Sequence, residues 1–334
     1  MGSMEVNPAR FLFGSAAICG SLCLGSLNAA AYTYIGFDPQ GSVATIPNAI
    51  SALGVIVGSY TDSVAAVHGF VRASNGTITS FDAPGAVDTT GYSINYYGVV
   101  TGYYQDSQFN THGFVRAADG TITDFDVPGA LSTSPYSIND KGVITGVYQD
   151  SGRNYHGFMR YAAGRIKSFD ILGSTSTYGI SINNAGEIAG QYGDQNYVTH
   201  GFVRAANGTV TIFDPSGAIS DTPQSINALG DITGYYGDSN GGIHGFLRAA
   251  GGTITSFDLP GATITVPASI NKKGEVVGST SSSGLSRTPT GAIKAIAYPG
   301  TIISSGATGI NSAGEIIGYY YDTSDTAHGY LRTK

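Results

Sequence analysis

The sequence predicts an all-β domain made of seven copies of a four-stranded unit, because three signatures recur in register. The triplet Ser-Ile-Asn recurs every 44 residues and starts at Ser93, Ser137, Ser181, Ser225 and Ser269. A His-Gly-aromatic-aliphatic-Arg segment starts at His68, His112, His156, His200, His244 and His328. A Phe-Asp pair follows it, starting at Phe81, Phe125, Phe169, Phe213 and Phe257. Weaker copies of the triplet centre on Ile50 and Ile310, which makes seven units.

Each unit contains four short alternating segments separated by turn residues, as expected of antiparallel strands. In the second unit these segments are Tyr92–Asn95, Val99–Tyr104, His112–Ala117 and Thr121–Asp126. Four-stranded units that repeat every 40 to 45 residues or so are typical of β-propeller blades, since each small sheet buries its faces only against its neighbours. The sequence therefore predicts a seven-bladed β-propeller.

The two ends of the repeat region predict how the ring closes. The last unit stops at the segment that begins with His328, so it lacks a fourth strand. The segment Thr33–Asp38 lies one period before Thr77–Asp82 and matches that missing strand. We therefore expect the N-terminal strand to complete the C-terminal blade, which would pair strand edges that are otherwise exposed.

The repeat resembles a known family. Its units read Ile-Asn, two residues, Gly, two aliphatic residues, Gly and, later, His-Gly-Phe, as in the stretch from Ile138 to Phe158. This pattern is similar to the HAF-repeat family of extracellular bacterial proteins, although Gly stands here between His and Phe. The resemblance covers nearly all of the chain after residue 31 and implies an exported, propeller-like protein; it carries no catalytic residues over to this chain.

Residues 1–31 differ from the repeats and predict a signal peptide preceded by a few tag-like residues. Arg10 precedes an apolar run from Phe11 to Leu27, and the small residues 29–31 follow as a cleavage site. We therefore expect a secreted protein, extracellular or periplasmic, whose single propeller domain spans residues 32–334. Because Cys19 and Cys23 both lie in the leader, no disulfide is expected in that domain.

Composition excludes several kinds of partner. The net charge is −7 and no run of Lys or Arg follows the chain, so a nucleic-acid partner is not expected. No segment after the leader approaches the roughly 20 apolar residues of a membrane span. No cofactor and no metal site are expected, and the protein is expected to be a monomer.

All six histidines belong to the repeat. Folding about the turn at Asp119-Gly120 predicts a hydrogen bond between His112 and Asp126, with an equivalent bond in every unit. Such a pair serves as an oriented general base, as a metal ligand with its partner, or as a polar link that stabilises the sheet. Histidines of different units lie too far apart to converge, which favours the structural role.

Two other repeated positions have simple structural interpretations. The Asn of the triplet and the Gly after it, such as Asn139 and Gly142, predict a turn in which the Asn side chain accepts backbone N–H groups. The aspartates that end the second strands predict Asx turns, with calcium binding as the alternative: Asp62, Asp106, Asp150, Asp194, Asp238 and Asp322.

Residues that differ between units are the better candidates for a ligand site. The residue before each triplet varies from Tyr92 and Tyr136 to Gln224, and the loops between second and third strands vary as well, with Arg153 in one of them. We expect these four residues to bind a small ligand or sugar at a channel mouth on the variable-loop face. Ordinary filling of the channel is the alternative interpretation.

Two further irregularities are candidates. In the sixth unit we expect Thr288 and Ala292 to replace the repeat His and Arg, which indicates a site, a partner contact or decay of the repeat. Four basic residues are expected nearby: Arg287, Lys272, Lys273 and Lys294. On the opposite face, four acidic residues follow turn glycines in consecutive units and would bind cations or a basic partner, or only face solvent: Glu187, Asp231, Glu275 and Glu315.

Two functions follow from these observations. The first is a secreted, non-enzymatic binding or scaffold protein that recognises a glycan or a cell-surface partner, since repeated weak sites gain avidity. The second is an extracellular polysaccharide lyase or glycoside hydrolase with one site at the channel mouth. No catalytic residue is assigned, because the sequence shows no pair of acids at a diagnostic spacing.

Overall fold

The computed structural model describes residues 32–300 and 302–334, and the predicted signal peptide lies outside this range. Residues Tyr32–Lys334 form one compact body. Its 28 elements are all strands, as the sequence predicts. Within these residues there is no helix of the length and apolarity that crossing a bilayer requires.

The strands follow one another in four-stranded units, which are numbered here in the order in which their first strands occur in the chain. Unit 1 contains β2 (Ser42–Ile50), β3 (Ile56–Asp62), β4 (Val67–Arg72) and β5 (Ile78–Phe81). Unit 2 contains β6 (Asp88–Ile94), β7 (Val100–Gln105), β8 (Thr111–Arg116) and β9 (Ile122–Phe125). Unit 3 contains β10 (Ser132–Ile138), β11 (Ile144–Gln149), β12 (Tyr155–Arg160) and β13 (Ile166–Phe169). Unit 4 contains β14 (Ser176–Ile182), β15 (Ile188–Gly193), β16 (Thr199–Arg204) and β17 (Val210–Phe213).

The remaining strands complete the pattern. Unit 5 contains β18 (Ser220–Ile226), β19 (Ile232–Gly237), β20 (Ile243–Arg248) and β21 (Ile254–Phe257). Unit 6 contains β22 (Thr265–Ile270), β23 (Val276–Thr280), β24 (Gly284–Arg287) and β25 (Ile293–Ile296). Unit 7 contains β26 (Ser304–Ile310), β27 (Ile316–Tyr321), β28 (Ala327–Thr333) and the N-terminal strand β1 (Thr33–Phe37).

The sheets are antiparallel meanders. Units 1, 2, 5, 6 and 7 are separate four-stranded sheets, and units 3 and 4 are joined into one eight-stranded sheet by a single parallel pair, Tyr155 with Ser176. Strand β1 pairs with β28 from Thr33 opposite Thr333 to Phe37 opposite Gly329. The N-terminal strand thus supplies the fourth strand of unit 7, as the period predicts.

Aromatic side chains hold adjacent units together. The ring of the third strand, such as Phe114, is fully buried and meets the Phe of the preceding unit edge-to-face, with 5.8 Å between the centroids of Phe81 and Phe114. The repeat Arg of the same strand lies over that Phe, as Arg116 does over Phe81 at 5.1 Å. The ring pair recurs at five junctions, and the Arg contact recurs at those five and at the junction of units 5 and 6. In unit 7 Arg332 lies over Tyr32 instead. Apolar burial and cation–π attraction between units therefore explain the signature.

The Ser-Ile-Asn triplet also links units. The hydroxyl of Ser93 accepts the N–H of Ile138 in the next unit. The Asn95 side chain accepts the N–H groups of Tyr97 and Val99 in its own turn, as predicted, and donates to the carbonyl of Asn139. The turn assignment was therefore correct but incomplete, because the same amide joins one unit to the next.

Equivalent hydrogen bonds from the Asn side-chain amides link each unit to the next from unit 2 to unit 7, and then link unit 7 to unit 1. The last bond joins the side chain of Asn311 to the carbonyl of Ser51, and the Thr308 hydroxyl donates to Pro47 of unit 1. Ser51 stands where the other units have Asn and makes no such link; Asn48 donates instead to Gly91 of unit 2. Hydrogen bonds therefore connect the last unit to the first.

Unit 6 departs from the others, although not as the sequence predicted. Gly284 pairs with Ile296 as Gly69 pairs with Phe81, so Ser283 and Arg287 occupy the positions of the repeat His and Arg. The assignment of Thr288 and Ala292 to those positions was wrong, because a tight turn that joins β23 to β24 shortens this unit. Arg287 keeps its place over the Phe257 ring of unit 5.

Candidate ligand-binding site

A β-bulge interrupts the first strand of every unit at the position before the triplet. In unit 3 Pro135 pairs with Gly146 and Ser137 with Thr145, so Tyr136 is left without a partner on β11. The same register shift recurs in all seven units and leaves these residues unpaired: Asn48, Tyr92, Tyr136, Ile180, Gln224, Ala268 and Thr308. Bulges re-aim side chains and are common beside functional sites.

Two of these bulge residues form the centre of a tyrosine cluster. The rings of Tyr92 and Tyr136 lie 5.4 Å apart, and Tyr103 of β7 lies 6.3 Å from Tyr92. Tyr155 stacks on Tyr178 at 5.6 Å. Burial raises the pKa of Tyr136, with smaller contributions from Tyr92, Tyr103, Tyr178 and Tyr155, so all five are neighbours.

The cluster also includes a tyrosine of unit 5. Burial raises the pKa of Tyr92, and Tyr235 of unit 5 contributes with Tyr103. Units 2 and 5 are not consecutive in the chain, so this contribution comes from a tyrosine distant in sequence. The hydroxyls of the cluster offer donors and acceptors beside the aromatic rings.

The four residues predicted for the site do not all come together. Tyr92 and Tyr136 are in contact, and Gln224 occupies the equivalent bulge in unit 5. Arg153 is exposed in the loop between β11 and β12, where it adopts a φ of +68°. Tyr103, Tyr155, Tyr178 and Tyr235 belong to the cluster and were not predicted.

A cavity of about 250 Å³ opens at the end of the first strands, beside the triplet turns. Its floor is a set of equivalent isoleucines from six units: Ile50, Ile94, Ile138, Ile182, Ile226 and Ile270. The bulge residues are only two positions before these isoleucines, so Tyr92 and Tyr136 lie toward this end of the first strands. The mouth on the variable-loop face stays a prediction, because the triplet ends the first strand at the opposite face whereas Tyr155 of the same cluster begins β12 directly after a variable loop.

The repeat histidines are each held between two aspartates. His112 Nδ1 lies 2.7 Å from Asp126, as predicted, and Nε2 lies 3.3 Å from Asp106. The Tyr104 ring stacks on the imidazole at 5.1 Å. The arrangement occurs in six units, and Asp38 beside β1 supplies one acid for His328. Asp106 also accepts the N–H groups of Gln108 and Asn110, so the predicted Asx turn is confirmed.

The histidine and the two aspartates of one unit contribute to stability over different pH ranges. Partial burial acts to lower the pKa of His112, but the bonds to Asp126 and Asp106 raise it overall. The Asn110 side chain, with Asn110 N–H and His112, lowers the pKa of Asp106 to about 2. The carboxylate contribution to stability is present above about pH 4 and is lost as the pH falls toward 2. The imidazole contribution is complete below about pH 6.5 and is lost as the pH rises further.

We expect His156→Ala and Asp170→Ala each to lower the free energy of unfolding by about 0.5 to 1.5 kcal/mol. The losses should be less than additive, because both remove the bond of 3.0 Å between these side chains. Asp170 is 47% exposed, which limits the effect. The measurement is a double-mutant cycle by urea unfolding at pH 5.5 and 8.5, with a smaller coupling expected at pH 8.5. Additive losses at both pH values would show that the contact has no energetic value.

The four acidic residues of the opposite face stabilise the triplet turns. Glu187 accepts from the Asn183 side chain at 2.7 Å and Glu315 accepts from Asn311 at 2.6 Å, with equivalent bonds at Asp231 and Glu275. Their carboxylates thus orient the amides that link neighbouring units. This contact gives them a structural role.

Comparison with known proteins identifies the scaffold. No protein-family model matches the chain, and no curated protein matches it. Among solved structures it is similar to a streptogramin B lyase, with 14% identity, a TM-score of 0.61 and coverage of 90% of this chain and 98% of the other. It is also similar to virginiamycin B lyase from Staphylococcus aureus, with 15% identity, a TM-score of 0.62 and coverage of 91% and 100%.

A third similar structure is TolB from Acinetobacter baumannii, with 12% identity, a TM-score of 0.53 and coverage of 85% of this chain and 65% of the other. At these identities the likeness concerns the fold alone. The three structures are β-propeller proteins, and the chain has a β-propeller scaffold of repeated four-stranded antiparallel sheets.

Proposed function

We propose that the seven units are the blades of one closed seven-bladed propeller of the HAF-repeat kind. Three contacts between units 7 and 1 support closure. They are the bond from Asn311 to Ser51, the bond from Thr308 to Pro47, and the stacking of Arg72 over Phe37 at 5.0 Å. The two hydrogen bonds join residues 260 and 261 positions apart, and all three contacts are equivalent to contacts between consecutive units.

We propose further that the protein is a secreted, non-enzymatic binding protein whose ligand contacts the tyrosine cluster. Secretion follows from the leader-like residues 1–31. The observation that carries the binding proposal is the identity of the residues at the bulge position. Units 2 and 3 place Tyr92 and Tyr136 in contact there, and the other units have different residues at that position. A site that differs from blade to blade in an otherwise repeated scaffold is what recognition of one ligand requires.

The chemistry of the cluster fits a glycan. Tyrosine rings provide flat apolar surfaces for the faces of sugars, and their hydroxyls, with the Gln224 amide, provide hydrogen bonds to sugar hydroxyls. A cavity of about 250 Å³ at the adjacent end is large enough to admit one sugar residue. We therefore propose that the chain end of a neutral glycan enters between the triplet turns.

A lyase or hydrolase is the alternative, and the first strands give it little support. Of the seven described first strands, only β6 and β18 carry an acid, namely Asp88 and Asp221. Asp88 accepts the N–H of Val67, and Asp221 is buried away from solvent. Glycosidase chemistry needs two carboxyl groups that face one bond from opposite sides, at roughly 5 to 10 Å.

We expect Tyr92→Ala combined with Tyr136→Ala to weaken glycan binding by at least about 30-fold, since each stacked aromatic is worth about 1 kcal/mol or more beyond its buried area. A glycan array identifies the ligand, and titration calorimetry then compares the variant with the unmodified protein. Tyr197→Ala is the matched control, because Tyr197 is an exposed tyrosine in the loop between β15 and β16, outside the cluster and away from the triplet turns.

The combined Tyr92→Phe and Tyr136→Phe variant keeps both rings and should retain most of the affinity. Full affinity in the folded double Ala variant would rule out the tyrosine cluster as the site. Loss of binding in the Tyr197→Ala control instead would move the site to the variable-loop surface.

A further inference from the structure

Asp221 breaks the repeat at a buried position. It is the second residue of β18, where the other units have a hydroxyl residue: Thr45, Thr89, Thr133, Thr177, Thr265 and Ser305. In units 2, 3, 4 and 6 that hydroxyl accepts a backbone N–H from the preceding unit, as Thr177 accepts from Ile171 at 3.2 Å. In unit 5 the corresponding donor is missing, because the residue is Pro215.

The missing N–H donor does not by itself explain why this position has an acid. The junction of units 7 and 1 also has a proline at this position, Pro39, and keeps Thr45, whose hydroxyl turns to Ser42. Asp221 instead places a carboxyl group with 1% exposure where only the Gly201 N–H and the Asp214 carboxyl group approach its oxygens, and no full hydrogen bond forms. A buried carboxyl group beside a second carboxylate costs stability when it is ionised, so this residue is not explained by the stability of the fold.

The groups around Asp221 come mainly from unit 4. Oδ2 lies 2.6 Å from the place that a Cβ on Gly201 would occupy, so only glycine leaves room for the carboxyl group on β16. Asp214, at the end of β17, is a neighbouring carboxylate and binds His200 Nδ1 at 2.8 Å. His200 stacks on Tyr192 of β15 and lies 3.8 Å from Asp194, and Tyr236 is the partner of Asp221 on β19.

This environment holds a neutral carboxyl group far better than an ionised one. Burial, and then the charge of Asp214, raise the pKa of Asp221 to about 8. Because the pKa in the folded state exceeds the unfolded value of about 3.9, folded protein binds the proton more tightly than unfolded protein does. The stabilising effect of that proton is complete below about pH 4 and is lost as the pH rises to about 8.

We propose that Asp221 is a proton-controlled latch at the junction of units 4 and 5, closed when the carboxyl group is protonated and loosened when it is ionised beside Asp214. The device occurs at one junction only, because the other described units have Thr or Ser at this position. Gln224 lies three residues further along β18, so loosening this strand changes the proposed ligand site. That last consequence rests on the proposed function, whereas the latch itself does not.

The test compares Asp221→Asn with the unmodified protein in the absence of ligand. Asparagine has the shape of the protonated acid and does not ionise. The two melting temperatures should be similar at pH 4, and the variant should become progressively the more stable up to about pH 8. For reversible unfolding, the ratio of their folding equilibrium constants should change by up to about tenfold per pH unit over that range.

Hydrogen exchange locates the effect. In the unmodified protein, after correction for the intrinsic exchange rate, peptides that cover β16, β17 and β18 should exchange faster at pH 8.5 than at pH 6. The peptide that covers β10 should not change, and Asp221→Asn should remove the difference. Asp88→Asn is the matched control, since Asp88 is the other first-strand acid and already accepts a bond of 2.8 Å from Val67.

A constant difference in melting temperature between the two proteins at all pH values would overturn the latch, as would equal pH dependence of exchange at β18. If Asp221→Asn does not fold, Asp221→Thr restores the residue of the other units and tests the same point. Because no ligand is present, failure of the latch and failure of glycan binding are distinguished from one another.

Discussion

Deleting residues 32–39 is expected to lower the melting temperature by more than 15 °C or so, or to prevent folding. The deletion removes β1 and with it the fourth strand of unit 7, its pairing to β28 and the acid that binds His328. It also removes the ring of Phe37, which packs on Phe70 and lies beneath Arg72 of unit 1. A loss of about 3 to 5 kcal/mol is typical when one buried Phe is truncated, and a shift of several degrees follows from each 1 to 2 kcal/mol or so in a domain of this size. Differential scanning fluorimetry measures it.

Two substitutions in β1 distinguish the contribution of its backbone pairing from that of its buried Phe37 ring. Phe37 is 9% exposed and Ile35 of the same strand is 40% exposed, so Phe37→Ala should be much the more destabilising. An unchanged melting temperature after the deletion would refute closure by the N-terminal strand. Equal effects of the two substitutions would show that β1 acts only through its backbone pairing.

The second large effect is expected at Asn183, one of the triplet amides. Its oxygen accepts from Ala185 and Glu187, and its nitrogen donates to the carbonyl of Asn227 in the next unit at 3.1 Å. The residue is only 5% exposed. Asn183→Ala leaves several buried groups without partners and should cost about 2 to 4 kcal/mol of unfolding free energy, at about 1 to 3 kcal/mol for a stranded buried group. Urea unfolding measures the loss.

Unit 1 supplies the control for this experiment. Ser51 accepts the turn N–H groups of Leu53 and Val55 but makes no link to the next unit. Asn183→Ser should therefore keep the turn and lose only the link, with a stability between that of the unmodified protein and that of Asn183→Ala. A Ser variant as stable as the unmodified protein would show that the amide link contributes nothing.

Much of the strand pattern was predictable because each signature is a local consequence of one strand or turn. The period identified four strands in each of units 1 to 5, although β6 begins at Asp88, four residues before the predicted start at Tyr92. The pairing of His112 with Asp126 followed from a short hairpin. The hydrogen bonds that these residues make to neighbouring units were not predictable in the same way. Asn95 satisfies its own turn, and nothing nearby in the sequence shows that it also bonds a residue 44 positions away.

The candidate site was predicted only in part for a similar reason. Variation along the first strands identified Tyr92, Tyr136 and Gln224. Tyr103 and Tyr235 belong to second strands, and only their contacts in the fold bring them to the same space. Arg153 varies because it lies in an exposed loop, and variation alone does not distinguish a loop from the channel wall. Unit 6 was misaligned because its shortened turn removes the His and Asp on which the register depended.

The central claim is that the tyrosine cluster binds a glycan without altering it. The measurement that tests it most directly is mass spectrometry of an array-identified glycan after prolonged incubation with protein in excess of Kd, alongside the Tyr92→Ala and Tyr136→Ala double variant. We predict that the glycan is bound by the unmodified protein, is not bound by the double variant, and is recovered with unchanged mass from both. Shortened or unsaturated products that form only with the unmodified protein would contradict the proposal and establish a lyase or hydrolase at the same site.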